Sequence, residues 1–300
     1  MKRKFWALFL TAALALSVTA CGNDSSAPAE SGSQTEESAE APAEEEEVQV
    51  DPMEAALENM DAVSSMEAKM IMNMDMVVSA NGQEQSMESV TTMDMACFND
   101  PLKIKMEMTI EAAGESQEMS VYGEEEDGTY MMYVYDGSSW QSQEVERTDL
   151  GEFDARDSML SSIGDGSVYT AEGEEQIDGA NAYKYSYVMT EEETKQAVLS
   201  SGALDQLSSL GIDESQIEGM LSGLGDITTY VWIDAETLYP IRYEMDMTDV
   251  MDALMVSMVE AIGEQAEGLS MNVPKMEIIM TCSNFNNVAD FSVPDEAKAN

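Results

Sequence analysis

Alternating methionines are the feature of this chain that could do chemistry. In the segment KMIMNMDMVV (residues 69–78) a thioether falls at every second position: Met70, Met72, Met74 and Met76. Thioethers are soft ligands that suit Cu(I). They are also unbranched and polarizable, which suits a surface that must accept apolar chains of varied shape. Spacing along the strand favours the second use. Residues two apart lie ~6.6 Å from each other along a strand, so four of them form a row and not a converging set. Elsewhere the stripes interchange with Leu, Ile and Val, which bind no metal. The sequence therefore gives no metal ligand set and no cofactor.

Other chemistry is absent from the pattern. The chain contains no histidine, which removes the commonest general base, the usual nucleophilic triads and the usual zinc sets. There is no G-x-S-x-G elbow or S-x-x-K element, and no phosphate-cradling glycine loop. With 60 Asp and Glu, any carboxylate pair is uninformative. The acidic run GEEEDG at 123–128 lacks the alternating ligands of a calcium loop and reads as a solvated turn. No catalytic residue is assigned, and the chain is read as no enzyme.

The methionines must be positioned by strands. Side chains two apart on a strand share a face. In the first strand-like run Met70, Met72, Met74 and Met76 share one face, opposite Asn73 and Asp75. In the second, Met93, Met95 and Cys97 oppose Thr92 and Asp94. In the third, Leu102, Ile104, Met106, Met108 and Ile110 oppose Lys103, Lys105, Glu107 and Glu111. In the last, Met276, Ile278, Met280 and Cys282 repeat the pattern. A sheet of such strands has one wet face and one apolar face, and the apolar face needs a cover. The candidate lining is Met70, Met72, Met74, Met76, Met93, Met95, Ile104, Met106, Met108, Met276, Ile278 and Met280.

The elements follow in order. Asp51 as N-cap, Pro52 at the first helical position and Glu54 in the first turn open a helix. Its apolar face carries Met53, Ala56, Leu57, Met60 and Val63. Strand-like runs at 68–79, 86–98, 101–112, 117–123, 129–135 and 139–146 follow, separated by turn signals, as in an antiparallel meander. Two more strands lead to Thr190 and Glu193, a capping box opening a glycine-punctuated helical stretch over 191–224. A hairpin turning at 235–238, a helix over 249–266 and a last strand close the chain, with an exposed tail near SVPDEAKAN. The candidate covers are the three helical stretches.

Residues 1–20 carry Lys2, Arg3 and Lys4, then an apolar run, the layout of a secretory signal. That run is too short for a spanning helix. SVTAC resembles a bacterial lipobox, with Val18 where leucine is usual; the resemblance implies that Cys21 receives a diacylglyceryl anchor. Two or more acyl chains hold a protein stably where one does so only marginally. Residues 21–50, the lipidated cysteine and an acidic tether poor in large apolar groups, cannot repay the entropy of ordering. Their coil reach is about 30 Å. Residues 51–300 form the folded domain.

The formal charge of −47 repels nucleic acid and anionic headgroups alike. The body should stand off the bilayer while the anchor holds it, at the extracytoplasmic face of the cell membrane, with a Gram-positive surface as the expected setting. Apart from Cys21 only Cys97 and Cys282 remain. They are a candidate disulfide in an exported chain, or equally two buried thiols.

Signal, tether, first helix, meander, mid-chain helical insert and late strands together resemble the lipoprotein-carrier fold of the LolA, LppX and LprG type. The hairpin VWIDAETLYPIRYEMDM, with Trp232, Asp234, Thr237 and Pro240, resembles that family's pattern. The resemblance implies an α+β fold: a curved, half-open antiparallel β-barrel with helices packed on its concave apolar face. It also implies a lipid or acyl-chain ligand. The alternative is a structural or protein-interaction module of the same fold with its interior packed shut and an unknown envelope partner.

Overall fold

The computed structural model describes residues 51–126, 129–145, 168–200, 219, 221, 223–262 and 268–299. Residues 1–50, with Cys21, and the expected helical stretch beyond Ser200 (apart from residues 219, 221 and 223–224) lie outside them. Eleven strands make one sheet. They are β1 (Ser65–Ala80), β2 (Gln83–Asn99), β3 (Leu102–Ala112), β4 (Glu115–Glu126), β5 (Thr129–Tyr135), β6 (Trp140–Val145), β7 (Thr170–Ile177), β8 (Ala180–Met189), β9 (Ile227–Asp234), β10 (Pro240–Asp246) and β11 (Leu269–Ser283). The helices with bounds among the described residues are α1 (Pro52–Asp61), α2 (Glu191–Ser200), α3 (Thr248–Ile262) and α4 (Asp295–Lys298).

The strand order is β6-β5-β4-β3-β2-β1-β11-β10-β9-β8-β7, and every neighbouring pair is antiparallel. Two meanders, β1–β6 and β7–β11, are joined where the first strand pairs with the last. Short hairpins set the register. Asn81 and Gly82 both take positive φ, the twist that a two-residue turn needs to match its flanking strands.

β6 and β7 are the sheet's two edges, so the barrel is not closed. A twisted sheet of this many strands curls instead of lying flat. One buried cluster shows the curvature. It unites Met53, Met60 and Val63 of the α1 region with Tyr185, Val231, Tyr243, Cys282, Met66 and Cys97, from six successive strands, β8 to β2. Laid flat, those strands would spread over about 24 Å, twice the width of a helix with its side chains. The cluster closes because this face is concave. The architecture is the half-open antiparallel barrel expected above.

Candidate functional site

All twelve expected lining residues stand on the inner, concave face. Register lines them up across the strands. Met280 opposes Met70, Met70 opposes Met93, and Met93 opposes Met108. One step along, Cys282 opposes Ala68, Ala68 opposes Met95, and Met95 opposes Met106. Met72, Met76, Met93, Ile104, Met276 and Ile278 are buried, whereas Met70, Met74, Met95, Met106, Met108 and Met280 are half-buried.

Two helices divide this face. α1 starts where Asp51 accepts the Met53 amide at 2.8 Å, the expected N-cap. The same carboxylate accepts the Tyr185 hydroxyl at 3.0 Å, tying the helix start to β8. Burial, reinforced by that carboxylate, pushes the Tyr185 phenol up to about 12. Its buried face delivers Met53, Ala56 and Met60 to the first cluster. α3 is pinned to β11 by polar contacts: the Thr248 hydroxyl accepts from the Met276 amide at 3.0 Å, and Asp252 accepts from the Val273 amide at 2.7 Å. Its Val250 and Met251, with Leu221 and Leu224, bury Met72, Met276 and Ile278 in a second cluster. The expected capping box also forms, Glu193 accepting from both the amide and the hydroxyl of Thr190 at 2.7 Å.

The β2–β4 part of the same face is different. Met93, Met106 and Met108 belong to none of the buried clusters among the described residues. Met119 opposes Met108 and Val121 opposes Met106, so both extend the apolar surface. They stand on the same face as the expected lining and were missed by the sequence reading. The signal was there, since Gln117, Met119 and Val121 alternate with Glu118 and Ser120, but a single methionine drew no attention. Beyond them Ile104, Tyr130 and Met132 close the end of the face. Tyr130 lies directly over Gly123, where a Cβ would meet its ring carbons at 2.9 Å.

Cys97 and Cys282 are buried thiols, not a disulfide. The reason is topological. Cys97 opposes Met66 and Cys282 opposes Ala68 on the two sides of β1. Their Cα atoms are thus two strand spacings apart across the sheet and two residues apart along it, about 12 Å, beyond the ~7 Å that a bridge tolerates. Burial, with Cys97 close by, pushes the Cys282 thiol far up. Beside it the buried Tyr243 hydroxyl has no hydrogen-bond partner.

The C-terminal segment is no exposed tail. It crosses the outer face of the first meander, where Phe291, Val293 and Ala297 pack with Tyr122, Tyr133 and Trp140. Lys103 anchors one end, donating to Asp290 and to the Phe291 carbonyl, both at 2.5 Å. Lys298 anchors the other through Glu124 and Glu126. The sequence reading missed this strap because its apolar residues are few and irregularly spaced. Elsewhere the outer face carries its cations in pairs, Lys69 with Asp94, Lys105 with Glu107 and Lys275 with Glu277.

These features define a half-open antiparallel barrel with a methionine-lined concave face, helix-covered over one wing. The chain belongs to the family of unknown function DUF6612, whose model matches residues 49–300. It is similar to the crystal structure of LprF from Mycobacterium bovis at 15% identity, over 82% of this chain and 95% of that one, with a TM-score of 0.42. It is similar to the lipoprotein LppX from Mycobacterium tuberculosis at 14% identity, over 80% and 96%, with a TM-score of 0.38. A LolA-superfamily protein from Nitrosomonas europaea matches at 10% identity, over 80% and 93%, with a TM-score of 0.19. No curated protein matches the sequence.

Proposed function

We propose that the chain is an exported lipoprotein, anchored to the membrane through Cys21, that shelters lipid acyl chains against the inner face of its β2–β4 wing. The observation that supports this is an asymmetry. Under α1 and α3 the concave face is filled, while Met106, Met108 and Met119 form an uncharged, half-buried surface outside the buried clusters of the described residues, flanked by Met95 and Val121 at the edges of those clusters. Methionine adapts to chains of varied shape. One chain of about sixteen carbons, at ~0.8 kcal/mol per buried methylene, gains on the order of 12 kcal/mol gross, ample before the costs of ordering and association. The acidic tether would hold the body off the bilayer at a distance from which a lipid can be reached. No catalytic residue is part of this function.

Native mass spectrometry of protein made in cells, before and after organic extraction, tests the reading. Bound lipid that extraction removes, and fluorescent fatty-acyl probes that then occupy the emptied protein, are the expected results. Protein recovered without lipid that also ignores the probes overturns it. A filled-core interaction module would then remain, a reading favoured by the packing beneath α3.

A further inference from the structure

Register supplies a geometry that spacing along one strand lacks. Met93 opposes Met108, and Met95 opposes Met106. Opposed residues on antiparallel strands are about 5 Å apart, and residues two apart on a strand about 6.6 Å. Four thioethers therefore rise from the corners of one small rectangle on the concave face. Its centre lies about 4 Å, in projection, from each corner, and methionine's three rotatable bonds let each sulfur swing inward. In the row of Met70, Met72, Met74 and Met76 the outer sulfurs cannot reach a common point; here all four can.

We propose that this block binds one soft monovalent cation, Cu(I), through the sulfurs of Met93, Met95, Met106 and Met108. Every corner of the rectangle is a thioether, with none of the Leu, Ile or Val that interrupts the stripes elsewhere. Met70, opposite Met93, and Met119, opposite Met108, extend the row on either side. Thioethers are soft, so the site selects Cu(I) over hard cations. Among the described residues no group of three or more His, Cys, Asp or Glu is placed to hold a metal ion, so this block has no competitor of the harder kind there. Four neutral ligands leave the cation's charge uncompensated, and the formal charge of −47 surrounds it with an attractive field. Met93 is buried and the other three half-buried, which limits water at the sulfurs and leaves a path in.

This site needs sulfur, whereas acyl-chain binding needs only apolar surface, so the two are separable by experiment. Full-length protein is titrated anaerobically with Cu(I) against a chromophoric Cu(I) chelator, and separately with Ag(I). One ion per chain, with a sulfur-only X-ray absorption signature, is expected. In the M93L/M95L/M106L/M108L variant, Cu(I) affinity should fall by more than the ~10–100-fold that loss of an outer-shell partner costs. Leucine conserves volume, so the melting temperature and the far-UV circular dichroism should stay as they were. M72L/M276L, in the packed wing, should retain Cu(I). Retention of Cu(I) by the quadruple variant, or release of all Cu(I) to the chelator by the parent, overturns the proposal. Should the quadruple variant fail to fold, M106L and M108L alone serve: each must weaken binding, and unchanged affinity in both overturns it. Retained Cu(I) with no acyl-probe binding sinks the lipid reading alone.

Discussion

In the wing formed by β8 to β11 with β1, the apolar core lies inside, under α1 and α3. Its outer face is held by polar and aromatic contacts: Lys184 sits 4.5 Å from the Tyr230 ring centre and 4.8 Å from that of Trp232. In the wing formed by β2 to β6 an aromatic core lies outside, under the strap of Phe291, Val293 and Ala297. Its inner face has a small buried cluster of Ile104, Tyr130 and Met132 at one end and half-buried Met106, Met108 and Met119 beside it. A sheet wing needs apolar burial on only one side to be stable. Among the described residues the second wing is covered from outside and the first from inside, and on the proposed function the first wing carries stability and the second binding.

The sharpest way to break that assignment is to truncate methionines in both wings. Met60 and Met276 are fully buried among packed neighbours, so Met60→Ala and Met276→Ala should each cost about 2–5 kcal/mol. Met106→Ala, on the half-buried surface, should cost well under half of that and instead weaken acyl-probe binding. Urea denaturation gives the first quantity and probe titration the second. Equal costs in the two wings would mean that both interiors are filled.

Phe291→Ala tests the outer cover. Its ring centre lies 5.7 Å from Phe98 and 6.5 Å from Tyr122, with the Lys103 ammonium at 5.0 Å. A loss of about 1–3 kcal/mol is expected, with acyl-probe affinity unchanged because the strap lies on the opposite face. A matching drop in affinity would mean that the two faces of this wing are coupled. Gly123→Ala acts on the inner face, pushing a methyl into the Tyr130 ring. Overpacking of this kind costs ~1–3 kcal/mol. Burial holds the Tyr130 phenol well above its ordinary range, so displacing the ring should lower its titration in a spectrophotometric scan; an unmoved titration would show that the ring had not shifted.

Much of this was legible in the sequence. Strand spans, inward parity, the Asp51 cap, the Thr190–Glu193 capping box and the hairpin at Asp234 follow from local rules that act within a few residues. What was not legible depends on pairing between distant segments. Nothing in MIMNMDM shows that Met72 lies under α3 while Met108, in a similar stripe, does not. Nothing in the cysteine spacing shows that β1 runs between Cys97 and Cys282. The rectangle of Met93, Met95, Met106 and Met108 exists only once the register of β2 against β3 is known, because a one-residue slip would turn one pair outward.

The smallest expected effect tests whether the packed wing's hairpin is held by local polar contacts, as its sequence motif implies. The Asp234 carboxylate accepts from the Thr237 amide at 2.7 Å, the Thr237 hydroxyl at 2.8 Å and the Glu236 amide at 3.1 Å. Burial pushes the carboxyl pKa up, but these donors outweigh it and hold it below its ordinary value. A carboxyl with a lowered folded pKa stabilises the native state above its unfolded value, ~3.9, and that contribution is lost as the pH falls through the folded value. Thr237→Val removes the hydroxyl donor and keeps the shape. It should cost about 0.5–1.5 kcal/mol at neutral pH, with the gap from the parent narrowing as Asp234 is protonated. A gap that stays constant into strong acid would mean that Thr237 acts through packing and not through the carboxylate.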